Sequence, residues 1–152
     1  MKTVLIGIDP GTKTGVAVWS PKGRFLEITT TTIDKAMQIV EHYAKQDKVF
    51  VRFEDARLRK WFGGNSYAKR QGAGSVKRDC SIWEGFLKRL NVEFEAVAPK
   101  DCITKMKADY FKAITGYCGR TSEHARDAAI LVYMRHGIIE LYARETKKTT
   151  KQ

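Results

Sequence analysis

The sequence predicts an α/β fold in which helices flank a five-stranded mixed sheet. Three apolar, β-branched segments begin the chain and are separated only by the turn signals Pro10–Gly11 and Pro21–Gly23. Such short connections favour antiparallel pairing. A helical periodicity then separates the third segment from a fourth strand, which is typical of a parallel crossover. A further helix and a fifth strand repeat that alternation, so we expect strands one, four and five to be parallel.

Each element is bounded by its own pattern. The expected strands, which are apolar between turn residues, cover 3–9, 14–20, 24–31, 48–54 and 92–97. Helices with an apolar stripe at the 3.6-residue period are expected at 33–44, 75–90 and 122–136, the last ended by Gly137. The segment 57–74 mixes glycine, basic and aromatic residues and is predicted to be a long loop.

The composition indicates a single domain, over residues 1–146, followed by a basic tail over 147–152. The 152 residues are 43% hydrophobic and 11% aromatic, which is enough to bury a core. No apolar run reaches the ~20 residues that cross a bilayer, and no signal peptide is recognisable, so we expect a cytoplasmic protein. The three cysteines form no Cys-x-x-Cys pair and are predicted to be buried, reduced thiols.

The charge of the chain indicates an anionic partner. Lys and Arg number 28 against 17 Asp and Glu, which gives a formal net charge of +11. Such an excess favours binding to nucleic acid or, less specifically, to an anionic membrane surface.

Within this basic chain, acidic residues end two of the predicted strands. Asp9 and Glu54 each close an apolar run. Because parallel neighbouring strands end at the same edge of a sheet, we expect these carboxylates to lie close together. Asp55 should point to the opposite side of the pleat, so Glu54 is preferred.

The last predicted helix adds two more candidates. His124 and Asp127 are three residues apart and therefore share a helix face, with Glu123 a weaker candidate on the same face as Asp127. Small residues at Ala125, Ala128 and Ala129 would let this helix lie close against the sheet.

These residue types suit hydrolysis of a phosphodiester bond. Mg²⁺ prefers oxygen ligands, and two ions about 4 Å apart can clamp the attacking and leaving oxygens of a phosphoryl group. Asp9 would bridge both ions, with Glu54 on one and Asp127 on the other. His124 would either ligate a metal or act as the base that orients the water.

The same residues fall in three motifs that resemble those of the RuvC-type Holliday junction resolvases, and most closely their bacteriophage versions. The motifs are GIDPGTKTG over 7–15, Phe53–Glu54, and HARDAA over 124–129. The resemblance implies a ribonuclease H-like fold and a dimeric endonuclease that uses Mg²⁺ or Mn²⁺ to cut four-way DNA junctions. It implies a site made of Asp9, Glu54, His124 and Asp127. Actin-like ATPases and sugar kinases share the first motif, but they need about twice this length.

The segment after Glu54 is predicted to contact DNA. Its basic and aromatic residues, which suit phosphate contact and base stacking, are Arg57, Arg59, Lys60, Trp61, Phe62, Tyr67, Lys69 and Arg70, followed by Lys77 and Arg78 on the next helix. That helix carries apolar residues beyond one stripe, including Ile82 and Phe86, and we expect it to contribute to a two-fold dimer interface.

Two other readings of the sequence remain open. The substrate of the endonuclease can instead be a replication fork, a flap or an RNA–DNA hybrid. A non-enzymatic protein that binds junctions through an inactive site is the alternative from another functional class.

Overall fold

The computed structural model describes residues 3–59 and 67–137, with the side chains of 67–71 excepted. Five strands form one mixed sheet: β1 (Thr3–Asp9), β2 (Thr14–Trp19), β3 (Phe25–Thr31), β4 (Lys48–Glu54) and β5 (Glu93–Val97). The helices are α1 (Ile33–Ala44), α2 (Tyr67–Arg89), α3 (Ala108–Thr115) and α4 (Glu123–Ile130). None of the helices in these ranges is long and apolar enough to cross a bilayer.

The strand order is β3-β2-β1-β4-β5, so β1 lies at the centre of the sheet. It pairs antiparallel with β2 and parallel with β4, and β4 pairs parallel with β5. This arrangement confirms the predicted fold class. Ile8 pairs with Phe53 in the parallel register. The residues that follow them, Asp9 and Glu54, therefore end adjacent strands at the same edge of the sheet.

Helices cover both faces of the sheet. The apolar stripe of α2, which includes Trp83 and Leu87, packs together with α1 on one face against Ile8, Val51 and Phe53. On the other face α4 lies across β1 and β2, and its buried alanines pack with the sheet residues Leu5, Ala17 and Phe50. The alternation of side chains along β1 and β4 assigns Asp9 and Glu54 to this second face.

Two helix boundaries differ from the sequence predictions. Helix α2 begins at Tyr67, so the second half of the segment 57–74, predicted to be a loop, is helical. These first turns contain Gly72 and Gly74 and have no regular apolar stripe, so they give no periodic signal. Helix α4 ends at Ile130 instead of at residue 136, and Met134 has a φ of 56°. The boundaries of the strands agree with the predictions to within a residue.

Arg52 explains the early end of α4. This buried arginine on β4 donates through Nη1 to the carbonyl oxygen of Leu131 and through Nε to Glu95 on β5, at 3.0 Å. A helix that continued would use the Leu131 carbonyl for the amide of Arg135, which instead donates to Val132. The sequence pattern contains no signal for this capture.

The thiols agree only partly with the prediction. All three cysteines are free; Cys80 is buried and Cys102 is half-buried. Cys118 is exposed, contrary to the prediction, because it lies in the irregular segment after α3, which contributes little to the core.

We expect Arg52→Ala to destabilise the protein by about 3 kcal/mol, because it leaves the Leu131 carbonyl and Glu95 without their shared cation. Urea unfolding measures this loss. Lys48→Ala is the matched control, because Lys48 pairs with Glu93 across the same two strands, at 3.8 Å and in an exposed setting. That variant should lose less than about 1 kcal/mol. Equal losses would contradict the role of Arg52.

Candidate active site

The four predicted site residues line one cleft of about 490 Å³ at the carboxyl edge of β1 and β4. Asp9 comes from the end of β1, Glu54 from the end of β4, and His124 and Asp127 from the first turns of α4. The cleft is also lined by Glu123, Arg59, Thr104, Lys105, Pro10, Ala56, Gly72, Ala73 and Val76. Residues distant in sequence thus meet at one place on the surface.

The turn after β1 fixes Asp9. The hydroxyl of Thr14 donates to the carbonyl oxygen of Gly11 at 2.8 Å and closes the connection between β1 and β2. Asp9 itself is buried, and its Oδ2 lies 2.9 Å from Nδ1 of His124. This contact links the end of β1 directly to α4.

The end of β4 separates two neighbouring acids. Glu54 lines the cleft, whereas the carboxylate of Asp55 is buried and accepts two hydrogen bonds from the Arg57 guanidinium, at 2.9 and 2.7 Å. Arg57 also donates to Glu84 on α2 at 2.7 Å. Although burial raises the pKa of Asp55, the hydrogen bonds and charge of Arg57 hold it below its ordinary value. The pair Asp55–Arg57 therefore holds α2 against the end of β4.

The first turn of α4 positions His124 and Asp127. Ser122 caps this helix, since its hydroxyl accepts from the amide of Ala125 at 3.2 Å. Asp127 Oδ1 accepts from the backbone amide of Lys105 at 2.9 Å. Lys105 has a φ of 58°, which a lysine adopts only where surrounding structure enforces it.

Burial and neighbouring negative charge raise the pKa values of all three carboxyl groups. Burial is the main cause of the raised pKa of Asp9, which reaches about 6 because the charge of Asp127 adds to burial and the hydrogen bond to His124 opposes it. Burial and then the charges of Asp9 and Asp127 raise the pKa of Glu54 to about 7. The pKa of Asp127 is also raised, mainly by burial. The three groups are close enough to disfavour one another's ionised forms, which a cation would reverse.

The donor chemistry of the cleft fits Mg²⁺ or Mn²⁺ held by pairs of carboxylates. Among the described residues no three His, Cys, Asp or Glu side chains converge on a single point that would hold one ion. The two-ion arrangement predicted from the sequence needs only two carboxylates for each ion, with Asp9 shared, because Mg²⁺ keeps several waters. The elevated pKa values of Asp9 and Glu54 are the observation that supports this fit.

The predicted DNA-contacting residues fall into three groups. Arg59 lines the cleft, whereas Arg57 is engaged with Asp55 and Glu84. Lys77 is half-buried on α2, and the side chain of Arg78 beside it is 69% exposed. Outside the described residues lie Lys60, Trp61 and Phe62, as well as the side chains of Tyr67, Lys69 and Arg70.

Sequence reasoning missed Lys105 and Thr104. Both line the cleft, on the segment between β5 and α3. This segment has no periodicity or motif, and only its basic residues Lys100, Lys105 and Lys107 distinguish it in the sequence. The contact with Asp127 that assigns Lys105 to the site is made by its backbone, which the residue type does not reveal.

The raised pKa of Glu54 predicts that the metal-free protein loses stability as the pH rises from about 4.5 to about 7. In this window the folded protein retains a proton that the unfolded chain has released, so the free energy of unfolding falls and then levels above pH 7. Glu54→Gln should be about 2 kcal/mol more stable than the wild type at pH 8, with allowance for partial exposure, and equally stable at pH 4. Urea unfolding in EDTA measures both values. Glu41→Gln on α1 is the control, and equal behaviour of the two variants would contradict the account.

A solved structure with a similar fold is that of T. thermophilus RuvC in complex with a Holliday junction substrate. The two superpose with a TM-score of 0.53 at 18% sequence identity, over 94% of this chain and 96% of the other. The sequence matches no protein-family model and no curated protein. The similarity covers nearly the whole of both chains, and together with the strand order it shows that this protein has the ribonuclease H-like fold.

Proposed function

We propose that this protein is a metal-dependent, structure-selective DNA endonuclease that resolves four-way junctions as a homodimer. The observation that carries this proposal is the meeting of Asp9, Glu54 and Asp127 in one cleft, with pKa values raised by burial and by neighbouring negative charge. The net charge of +11 supports a polyanionic substrate. The similarity in fold to a protein whose structure contains a Holliday junction supports branched DNA as that substrate.

In the proposed mechanism Asp9, Glu54 and Asp127 would hold the Mg²⁺ or Mn²⁺ ions. Such ions would neutralise the charge that develops on the phosphoryl group and would lower the pKa of bound water. Nδ1 of His124 lies 2.9 Å from Oδ2 of Asp9, and in the tautomer whose Nδ1–H donates to this carboxylate, Nε2 keeps a free electron pair. His124 is therefore assigned as the base that takes a proton from the attacking water, in preference to a metal ligand.

Two cations are proposed to hold the scissile phosphate in the cleft. Arg59 and Lys105 both line the cleft with the carboxylates, and the charge of Arg59 lowers the pKa of Glu54. They come from two different segments, one after β4 and one after β5. A phosphate between them would be oriented towards the metals, since positioning accounts for much of the rate in phosphoryl transfer.

The dimer remains a proposal based on α2. Ile82 is 43% exposed on this helix, and Phe86 next to it is half-buried against Trp83. A four-way junction has near two-fold symmetry, so two copies related by a two-fold axis would present one cleft to each strand. A relationship to bacteriophage enzymes, and with it a location in the cytoplasm of a bacterial host, rests on the sequence motifs alone.

Cleavage assays on a panel of DNA structures test the proposed function. The wild type should cut a mobile four-way junction faster than a three-way fork, a flap, a linear duplex or an RNA–DNA hybrid, and only with Mg²⁺ or Mn²⁺. Faster cutting of the hybrid would favour the alternative substrate. Binding to the junction without cleavage in any metal would favour the non-enzymatic alternative.

Asp9→Asn should lower the cleavage rate by more than about 100-fold, because even a residue that only supports a metal ligand is worth up to about that factor. The dissociation constant for the junction, measured by gel shift, should be unchanged or lower, since a negative charge is removed near DNA. Asp109→Asn, on the exposed surface of α3, is the control and should cut normally. Normal cleavage by Asp9→Asn would remove Asp9 from the mechanism.

Lys105→Ala should weaken junction binding several-fold and make the slope of log K against log salt about 1 unit less steep, because one phosphate contact is lost. The backbone bond from residue 105 to Asp127 does not need the lysine side chain, so the fold should persist. Lys45→Ala is the matched control, since Lys45 is exposed at the end of α1, at the opposite edge of the sheet. An unchanged salt slope for Lys105→Ala would exclude the phosphate contact.

A further inference from the structure

Two glycines lie in the contact between α4 and the sheet. A Cβ atom added to Gly15 on β2 would lie 2.0 Å from the carbonyl oxygen of His124, and one added to Gly7 on β1 would lie 2.0 Å from that of Ala128. Both neighbours are backbone atoms of α4, so no side-chain rotation can relieve either overlap. The helix backbone therefore lies directly on the two central strands at these points.

The positions of these contacts relate them to the site. Gly15 is the cross-strand partner of Asp9. Gly15 contacts the backbone of His124, and the His124 ring is hydrogen-bonded to Asp9. Gly7 lies two residues before Asp9 on the same face of the sheet, and Ala128 directly follows Asp127. Each glycine thus supports α4 beside a residue that lines the cleft.

Among the glycines of the described residues, only Gly7 and Gly15 would place a Cβ atom closer than 3.0 Å to backbone atoms, because the atoms that close to Gly119 belong to the Tyr117 side chain. A Cβ atom on Gly11, in the turn after Asp9, would lie 3.4 Å from its nearest neighbour, and one on Gly137 would meet no atom of the described residues within 4 Å. Ordinary contacts begin near 3.4 Å, whereas a Cβ atom at Gly7 or Gly15 would lie 2.0 Å from the backbone of α4. A methyl group at either glycine would therefore displace α4 by more than about 1 Å. A displacement of that size is enough to lower catalysis about 100-fold.

We propose that Gly7 and Gly15 are positioning residues, which set the distance of His124 and Asp127 from Asp9 by allowing α4 to lie on the bare backbone of β1 and β2. Neither glycine touches the substrate or a metal. They act through α4, and any side chain in their place separates the site residues on the helix from those on the strands. The inference deepens the proposed function, because the spacing that is set is that of two proposed metal ligands, Asp9 and Asp127, and of the proposed base, His124.

Binding of Mn²⁺ without DNA tests this inference. Electron paramagnetic resonance of free Mn²⁺ gives the dissociation constant of the metal-free protein for the ion. We expect Gly15→Ala and Gly7→Ala to fold, with a lower melting temperature, and to bind Mn²⁺ at least 10-fold more weakly than the wild type. Gly137→Ala, the same substitution in open space, should bind normally.

A second control separates positioning from stability. Leu87→Ala removes a buried side chain from the core on the opposite face of the sheet, so it should lower the melting temperature without moving α4. If Leu87→Ala weakens Mn²⁺ binding as much as Gly15→Ala does, stability alone accounts for the effect and the inference is wrong. Wild-type affinity in folded Gly7→Ala and Gly15→Ala would also overturn it.

Two further measurements keep the test decisive. If the glycine variants do not fold, Ala128→Ser enlarges a fully buried residue in the core between α4 and the sheet and should weaken Mn²⁺ binding in the same direction; unchanged binding would count against the inference. If the wild type binds no Mn²⁺, the proposed function fails, and NMR of the His124 ring nitrogens then decides the inference alone. Loss of the hydrogen bond to Asp9 in Gly15→Ala, but not in Gly137→Ala, supports positioning, and its retention in both variants overturns it.

Discussion

The structure depends on bringing three carboxylates together at one edge of a sheet, where burial and like charge oppose their ionisation. Asp9 and Glu54 have pKa values of about 6 and 7 for this reason, and that of Asp127 is raised as well. Without a bound cation, such a cluster of carboxylates destabilises the folded chain at neutral pH, so the surrounding fold must hold the three side chains together. The parallel pairing of β1 with β4 supplies two of the acids, and α4 supplies the third.

The two layers of helices have different parts in this arrangement. On one face, α1 and α2 form an apolar core with the sheet, and the pair Asp55–Arg57 joins the end of β4 to Glu84 on α2. On the other face, α4 lies close to the sheet and carries the site residues. Glu54 and Asp55 therefore serve opposite faces: the first lines the cleft, and the second anchors a helix beneath it.

The sequence predicted the parts of the molecule that follow from periodicity and motif. Strand order, the meeting of Asp9 with Glu54 and the shared face of His124 and Asp127 all follow from patterns of apolar residues and their spacing. The sequence did not predict contacts made by backbone atoms. Examples are the hydrogen bond from Arg52 to the Leu131 carbonyl and the hydrogen bond from the Lys105 amide to Asp127. The ion pairs of Arg57 were missed too, because a basic residue after a strand that ends at the candidate site has the same sequence pattern whether it contacts DNA or the protein's own acids.

The most direct test of the central claim is crystallography of the protein with Mn²⁺, using anomalous scattering to locate the ions. We expect anomalous peaks in the cleft, within reach of Asp9, Glu54 and Asp127. Their occupancy should fall in crystals of Asp9→Asn grown under the same conditions. Well-ordered carboxylates with no anomalous peak between them at saturating Mn²⁺ would contradict the claim that this cluster is a metal site.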